Sequence, residues 1–328
     1  MALRRVGALG GKIQRSLQQQ GQPAEGLVAD LSKQTGLPAL LDGAKNMGNI
    51  RHASQLAVKQ RMRSVQNIAK ITSAMKMVAA SKMRVAQINT EKSRGLLTPF
   101  LKLLGDLPAV EVETNVAVPV TTDKGLCGGI NSTVSKYARG TLKAFNEEGQ
   151  NSELVVIGEK GKAQLQRDQA SHIKETIADV GKVRITFAQV SAIAEELMKT
   201  EYDAARIIFN RFHSAISFKP TVATVLSPDA LEKEVESGGK LDVYEMEGPD
   251  RGELLQDLAE FQLAATLNNA LLENNCSEQA SRMSAMESST KNAKEMLDKL
   301  TLSYNRTRQA AITTELTEII SGAAALEG

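Results

Sequence analysis

The chain has 328 residues, of which 24% are charged and 42% hydrophobic, and its formal net charge is +2. It contains no run of 18 apolar residues, so the sequence predicts no membrane-spanning helix. Cys127 and Cys276 lie far apart, and the three histidines are not at metal-ligand spacing, which argues against a disulfide framework and a metal site. Aromatic residues make up only 3%, a composition that favours closely packed helices over a large mixed core.

Residues 1–52 have the composition of a mitochondrial transit peptide. Their first twenty positions carry four basic residues, and no acidic residue occurs before Glu25. Arg51 lies two residues before Ala53, a spacing typical of matrix processing, so we expect cleavage near His52 and Ala53. The alternative is a loosely ordered N-terminal extension that the mature protein retains.

Residues 53–104 are predicted to form a long helix, since 53–97 contains no proline and one glycine, Gly95. Its apolar residues recur at helical spacing, at Val58, Met62, Val65, Ile68, Ile71, Met75, Val78, Met83 and Ile88. Between Lys45 and Arg94, eleven basic residues stand against one acidic residue, a local charge of +10. Because nucleic-acid sites usually add stacking aromatics and residues 53–97 have none, an acidic protein partner is favoured over nucleic acid or a merely solvated surface.

Residues 105–230 are predicted to form an α/β domain. Short β-branched runs occur at 115–120, 153–157, 205–209 and 221–226, with helix-like stretches at 129–148, 159–170 and 187–199 between them. Strands that alternate with helices predict a small Rossmann-like domain with a largely parallel sheet. Residues 231–251 are polar and contain glycines, which indicates a linker.

Two glycine-bearing turns, 125–129 and 158–162, follow predicted strands. Neither matches the dinucleotide fingerprint or the P-loop, and backbone freedom in a tight turn explains both, so no cofactor is predicted. Cys127 lies in the first turn, but no histidine or acid can be assigned to it as a catalytic partner.

Residues 252–328 are predicted to form one helix, which at about 1.5 Å per residue would extend roughly 100 Å. Gly322 is the only glycine after Gly252 and before the terminal Gly328, and proline is absent. A heptad pattern rich in small and polar residues runs through Cys276, Gln279, Met283, Met286, Thr290, Ala293, Leu297, Leu300, Tyr304, Thr307 and Ala311. The segment has a net charge of −5, opposite to that of the first helix, so the two could attract one another. A coiled-coil spacer or dimerisation rod is the simpler interpretation.

Several segments together resemble the gamma subunit of the rotary ATP synthase. The resemblance covers residue 53 to the end, and its motifs occur in the same order as in that family. They are ITSAMKMVAASK at 71–82, DKGLCGG at 123–129, SRMSAM at 281–286, NAKEM at 292–296, LSYNRTRQA at 302–310 and ITTELTEIISGAAAL at 312–326.

The resemblance implies an antiparallel coiled coil of the N- and C-terminal helices, with the α/β domain beside its foot. It further implies a non-catalytic rotor shaft that couples rotation of the membrane c-subunit ring to conformational change in the αβ hexamer, which carries the catalytic sites. Small rotor subunits of the delta and epsilon type would also be partners. The chloroplast form carries a closely spaced cysteine pair that is missing here, which favours the mitochondrial type, peripheral to the matrix side of the inner membrane.

The resemblance also implies individual contacts. Met75 and Lys76 match the point where the family's N-terminal helix passes the β-subunit levers. Cys127 matches a loop near the lower rim of the stator. Arg308, Gln309 and Thr313 match polar residues that hydrogen-bond a stator catch loop. Two other classes stay open: a Rossmann-like enzyme dimerised by a coiled coil, and a basic coiled-coil adaptor for nucleic acid.

Overall fold

The computed structural model describes residues 47–104, 112–147, 149–182, 184–236 and 251–327. The predicted transit peptide therefore lies outside the described residues, except for the backbone of 47–52, which is helical. The chain divides into two compact units. One is Ser64–Asp298, and the other contains the described parts of Met1–Arg63 and Lys299–Gly328. Within the described ranges, no helix has the length and apolarity that crossing a membrane requires.

Two long helices carry the terminal parts of the chain. Helix α1 covers Met47–Leu103, and its last turn accommodates Pro99. The C-terminal helix covers Arg251–Glu327, which confirms the prediction that residues after 252 form one unbroken helix. This C-terminal helix is α6. Its residues are mostly strong helix formers, and Gly322 does not interrupt it.

In the unit Ser64–Asp298 the two helices pack antiparallel. Thr72 of α1 bonds to Thr290 of α6, whereas Thr90, further along α1, bonds to the main chain of Leu272, earlier in α6. On α1 a row of buried residues recurs at every seventh position, at Val65, Thr72, Ala79, Ala86 and Ser93, and Thr90 is buried beside it. These side chains are small, so the two helix backbones can approach closely along this interface.

The predicted apolar stripe of α1 is partly wrong. Ile68, Ile71, Val78 and Ile88 are 49–58% exposed and lie outside the interface. The prediction selected the largest apolar residues, whereas the interface accepts small ones. On α6 the predicted heptad positions are buried or half-buried throughout, from Cys276 to Leu297 in this unit.

In the other unit, α6 continues the same pattern. Leu300, Tyr304 and Thr307 are half-buried and Ala311 is buried. The side-chain amide of Gln55 on α1 donates to the main-chain oxygen of Thr307 at 3.4 Å. The helices are therefore paired here too.

Among the described residues, the α/β region contains a five-stranded sheet with the order β3-β2-β1-β4-β5. Its strands are β1 Thr114–Pro119, β2 Asn151–Ile157, β3 Ile173–Ile177, β4 Ala204–Ser214 and β5 Ser217–Leu226. Strands β1 to β4 are parallel, and β5 is antiparallel to β4, as expected of a largely parallel sheet. The other helices are α2 Ile130–Glu147, α3 Glu159–Leu165, α4 Phe187–Met198 and α5 Pro228–Glu236.

The sheet is covered on both faces. Leu142 of α2 and Leu165 of α3 pack on one face, against Leu154 and Ile208. The opposite face is covered by Val190 of α4 together with Leu267 of α6. Helix α6 is thus part of the domain core as well as part of the helix pair. Helix α5 occupies the first residues of the stretch predicted as a linker, and Leu231 within it is buried.

Candidate partner-contact sites

The carboxyl edge of the sheet is where doubly wound domains usually bind ligands, at the point where the strand order reverses. Here that point lies between β1 and β4. Helix α6 crosses it: Asn274 accepts a hydrogen bond from Asn210 of β4 at 3.1 Å, and Ser277 donates to the main-chain oxygen of Asn210 at 3.0 Å. The chain's own helix therefore lies at the point between β1 and β4 where a dinucleotide would usually bind.

A cavity of about 330 Å³ remains beside α6, at the ends of β1, β2 and β3. Apolar residues including Val120 and Leu271 line part of it, and charged residues including Lys124, Lys182 and Glu278 line the rest. Glu278 pairs with Arg282 at 2.5 Å, and burial raises the pKa of its carboxyl group. Within the described ranges, no group of three potential metal-ligating side chains occurs.

The turn that contains Cys127 is held against α6. Ser281 of α6 donates to the main-chain oxygen of Cys127 at 2.5 Å. Gly128 has a φ of +63°, and a Cβ there would lie 2.9 Å from the Ser281 hydroxyl, so the turn requires glycine. The Cys127 side chain is 3% exposed, and its burial raises the pKa of the thiol.

The exposed side chain of this turn is Leu126, which is 64% accessible and which the sequence did not single out. Leu126 also has a positive φ of 62°, an unusual conformation for a residue with a Cβ. A partner that meets this turn would therefore contact the side chain of Leu126. The buried Cys127 would contribute to the packing beneath the turn and not to its surface.

Met75 and Lys76 lie at the edge of the helix–helix interface, and both are half-buried. The Lys76 ammonium group is 2.7 Å from the carboxylate of Glu287 on α6. Because the Glu287 side chain is 62% exposed, water and a partner's charge can compete for this ion pair. Met77, which follows Lys76 on α1, is 66% exposed.

The outer face of α1 combines exposed apolar and basic side chains. The apolar residues are Ile68, Ile71, Met77, Val78, Val85 and Ile88, and the basic ones include Lys70, Lys82 and Arg84. This combination suits a partner surface that carries both acidic and apolar groups, in line with the acidic partner predicted from the charge of this segment.

In the other unit, Arg308, Gln309 and Thr313 are all exposed on α6. The Thr313 hydroxyl donates to the main-chain oxygen of Gln309 at 3.0 Å, so these two residues share a face of the helix. Sequence reasoning passed over the exposed apolar residues that follow. They are Ile312, Leu316, Ile319, Ile320 and Leu326, each at least 55% accessible. The spacing of three and four residues from Ile312 to Leu316 and on to Ile319 and Ile320 is the signal that could have identified this stripe.

The fold of the unit Ser64–Asp298 defines a class of protein: an antiparallel pair of long helices joined to a small α/β domain, with one of the helices packed on the sheet. An ATP synthase family model matches residues 54–326. The chain is 55% identical over 287 residues to the mitochondrial ATP synthase subunit gamma of Ipomoea batatas, covering 86% of this chain and 88% of that one. It is 53% identical to the corresponding Arabidopsis thaliana subunit, covering 88% and 91%. The chain therefore belongs to the gamma-subunit family of the ATP synthase.

Solved structures agree with the fold. A chain of the Euglena gracilis mitochondrial ATP synthase, in a structure of its OSCP, F1 and c-ring parts, matches with a TM-score of 0.74 and 23% identity. The match covers 84% of this chain and 95% of that one. A chain from the central stalk and c-ring of the Tetrahymena thermophila enzyme matches with a TM-score of 0.55 and 30% identity, over 66% and 98%. The gamma subunit is a stalk component of the ATP synthase and not its catalytic subunit.

Proposed function

We propose that this chain is the central rotor shaft of a proton-translocating ATP synthase. It couples rotation of the membrane c-subunit ring to conformational change in the αβ hexamer, where ATP is made. The observation that carries this proposal is the antiparallel pairing of α1 and α6 in a gamma-family chain, with an α/β domain built around the same α6. Such a molecule can transmit force between two partners without chemistry of its own.

A shaft acts on its surroundings only if its faces differ. A rotor that made equal contacts in every orientation would not shift the conformational equilibrium of any β subunit. In the unit Ser64–Asp298, the outer face of α1 carries the exposed cations Lys70, Lys82 and Arg84. The facing stretch of α6 carries exposed charges of both signs, including Glu287 and Lys291. The two sides of the helix pair therefore differ in charge, one basic and one mixed.

The size of the forces indicates many contacts. One elementary charge that crosses 100 mV releases about 2.3 kcal/mol, and several protons drive each step. An exposed ion pair such as Lys76–Glu287 contributes about 0–1 kcal/mol. Torque must therefore be shared along the length of the helix pair instead of resting on one pair of side chains.

The site residues take the following roles in this proposal. Met75 and Lys76 contact the levers of the β subunits, where Glu287 and the β-subunit acids compete for the Lys76 ammonium group. Arg308, Gln309 and Thr313 hydrogen-bond a catch loop of the stator, which their exposure permits. The turn around Cys127 meets the lower rim of the stator through the exposed Leu126.

The partners of the shaft are the α and β subunits, the c-subunit ring and the small rotor subunits of the delta and epsilon type. The protein acts at the matrix side of the mitochondrial inner membrane as a peripheral component. The expected cleavage near His52 and Ala53 is part of this proposal, and N-terminal sequencing of the native protein tests it, since an intact Met1 would contradict it.

Two other functions are less well supported. A Rossmann-like enzyme usually binds its ligand where the strand order reverses, between β1 and β4, and α6 contacts β4 there through Asn274 and Ser277. A nucleic-acid adaptor would use the basic face of α1, which lacks stacking aromatics.

Co-purification distinguishes these functions. The tagged mature chain, expressed in its own cells, should isolate stoichiometric α and β subunits together with ATPase activity. An adaptor would instead retain nucleic acid and elute from a nucleic-acid column at high salt. Recovery of this chain without α and β subunits would contradict the rotor assignment.

A further inference from the structure

Strand β4 continues past the end of its neighbour β1. The last paired residues are Pro119 and Ile208, after which the Val120 main-chain nitrogen donates to the Ile208 oxygen at 2.8 Å. Strand β4 nevertheless runs on to Ser214. Beyond Ile208, the N–H and C=O groups of β4 that point toward β1 have no strand to bond to within the described ranges. These groups belong to every second residue, Asn210 and Phe212.

Side chains of the two long helices take the place of the missing strand. Ser277 of α6 donates to the Asn210 oxygen at 3.0 Å. Two residues further along β4, the Phe212 nitrogen donates to the Glu273 carboxylate of α6 at 2.8 Å. Arg94 of α1 donates to the Phe212 oxygen at 2.7 Å. The edge of β4 is thus continued by α6 and α1 with the two-residue period of a strand.

Arg94 and Glu273 also bind each other in a two-pronged arrangement. Arg94 Nε lies 2.5 Å from one carboxylate oxygen of Glu273, and Nη2 lies 2.9 Å from the other. Glu273 is completely buried, and its hydrogen bond raises the pKa of Arg94. Parallel N–H···O bonds of this kind fix relative orientation as well as distance. One pair of side chains therefore connects α1, α6 and β4.

We propose that Arg94, Glu273 and the Phe212 main chain form the rotor's torque joint, the point at which torsion passes between the α/β domain and the helix pair. The inference rests on the proposed rotor function. Apolar packing of α6 on the sheet, through residues such as Leu267, is not directional, and the other polar contacts of α6 with the domain, such as that of Ser281 with Cys127, are single hydrogen bonds. The torque joint is directional, so it supplies torsional stiffness where the domain meets both helices.

The test measures torsional stiffness in the assembled complex. The hexamer is fixed to a surface, and a bead is attached to the α/β domain through Lys143→Cys, a position on α2 whose side chain is 77% exposed. The angular fluctuation of the bead is recorded while rotation is stalled without nucleotide. Glu273→Gln, which removes a charge from the joint, should widen this distribution, and Arg94→Lys, which loses the two-pronged geometry, should widen it as well.

The matched control separates stiffness from stability. Leu154→Ala removes a fully buried side chain from the sheet core on the α2 side, away from the joint. It should lower the thermal stability of the complex and leave the angular distribution at its wild-type width. If Glu273→Gln prevents assembly of the complex, the angular width of the charge-conserving variant Arg94→Lys tests the proposal by itself.

An unchanged width in an assembled joint variant, or an equal widening in Leu154→Ala, would overturn the torque joint while leaving the rotor function intact. Failure of the unmodified chain to assemble with α and β subunits would instead overturn the rotor function itself.

Discussion

Thr72 and Thr290 meet across the helix pair, with their hydroxyl oxygens 2.8 Å apart. Thr72 is 8% exposed, and its own hydroxyl reaches the main-chain oxygen of Ile68 at 3.0 Å. A polar contact inside a helix–helix interface favours one alignment of the two helices, because the two hydroxyl groups reach each other only when Thr72 and Thr290 lie opposite one another. This pair therefore helps to set which residues of α1 and α6 lie opposite one another.

The first prediction concerns this contact. Thr72→Val keeps the shape of the side chain but removes the acceptor for Thr290, and should lower the free energy of unfolding by about 1 kcal/mol. Thr98→Val is the matched control, since Thr98 lies on the same helix, is exposed, and bonds to the main-chain oxygen four residues before it. Its effect should stay within about 0.5 kcal/mol. Urea unfolding measures the free energy of unfolding of both variants. Equal losses in Thr72→Val and Thr98→Val would contradict a special role for the Thr72–Thr290 contact.

The second prediction concerns the turn after β2. Gly158 has a φ of +98°, and a Cβ there would lie 2.7 Å from the main-chain carbon and oxygen of Thr121. Gly158→Ala should therefore cost about 2–4 kcal/mol. Gly140 lies in the exposed face of α2 with open space around it, so Gly140→Ala should stabilise the protein by about 0.5–1 kcal/mol. Thermal unfolding that showed similar shifts for both variants would contradict this account of the turn.

The third prediction is a pH dependence at Cys276. Burial raises the pKa of this thiol to about 11. At pH 8 the folded chain should react with iodoacetamide at Cys276 at least about a hundredfold more slowly than the urea-unfolded chain, because the thiol is buried and thiolate is the reactive form. Mass spectrometry of the labelled peptides measures the rate. Fast labelling of Cys276 in the folded chain would show that the thiol is accessible and ionised.

The same shift has a consequence for stability. Between the ordinary thiol pKa and about 11, the folded chain keeps a proton that the unfolded chain loses. Folding is then linked to proton uptake, so the contribution of Cys276 to the free energy of unfolding falls as the pH rises through that interval.

The fourth prediction tests the assignment of Met75 to the β-subunit levers. Met75→Lys places a new cation at the edge of the helix–helix interface, where it can pair with β-subunit acids and hold the rotor in one orientation. ATP-driven proton pumping should then fall further than ATP hydrolysis. Met198→Lys is the control, since Met198 is 37% exposed on α4 of the α/β domain, belongs to none of the contact surfaces described above and should leave coupling unchanged. Full coupling in the Met75→Lys complex would remove Met75 from the lever contact.

The architecture was accessible from the sequence wherever it depended on local patterns. Helix α6 follows from the lack of breakers after residue 252, and four of the strands follow from β-branched runs. Strand β3 was missed because its sequence, Ile-Lys-Glu-Thr-Ile, is polar at the centre and only half-buried at the edge of the sheet. An edge strand does not need the continuous apolar run of a central parallel strand.

The contacts that depend on tertiary geometry were not accessible. The α1 interface uses Ala79, Ala86 and Ser93, which a search for large apolar residues passes over. From the sequence, Glu273 is one of many acidic residues on a charged helix and would be expected on its surface. In the structure it is completely buried. Glu273 can bond to the Phe212 main chain only because β4 extends beyond the end of β1. The relative lengths of two neighbouring strands cannot be inferred from one sequence. Cys127 was identified, but its exposed neighbour Leu126 forms the surface of the turn.

The most direct test of the central claim is to watch the rotor turn. With the hexamer immobilised and a bead on the α/β domain at Lys143→Cys, addition of ATP should produce continuous rotation of the bead in one direction. Rotation is expected because the helix pair inside the hexamer and the α/β domain belong to one force-transmitting chain. A bead that stays still while the same complexes hydrolyse ATP would contradict the assignment of this chain as the shaft.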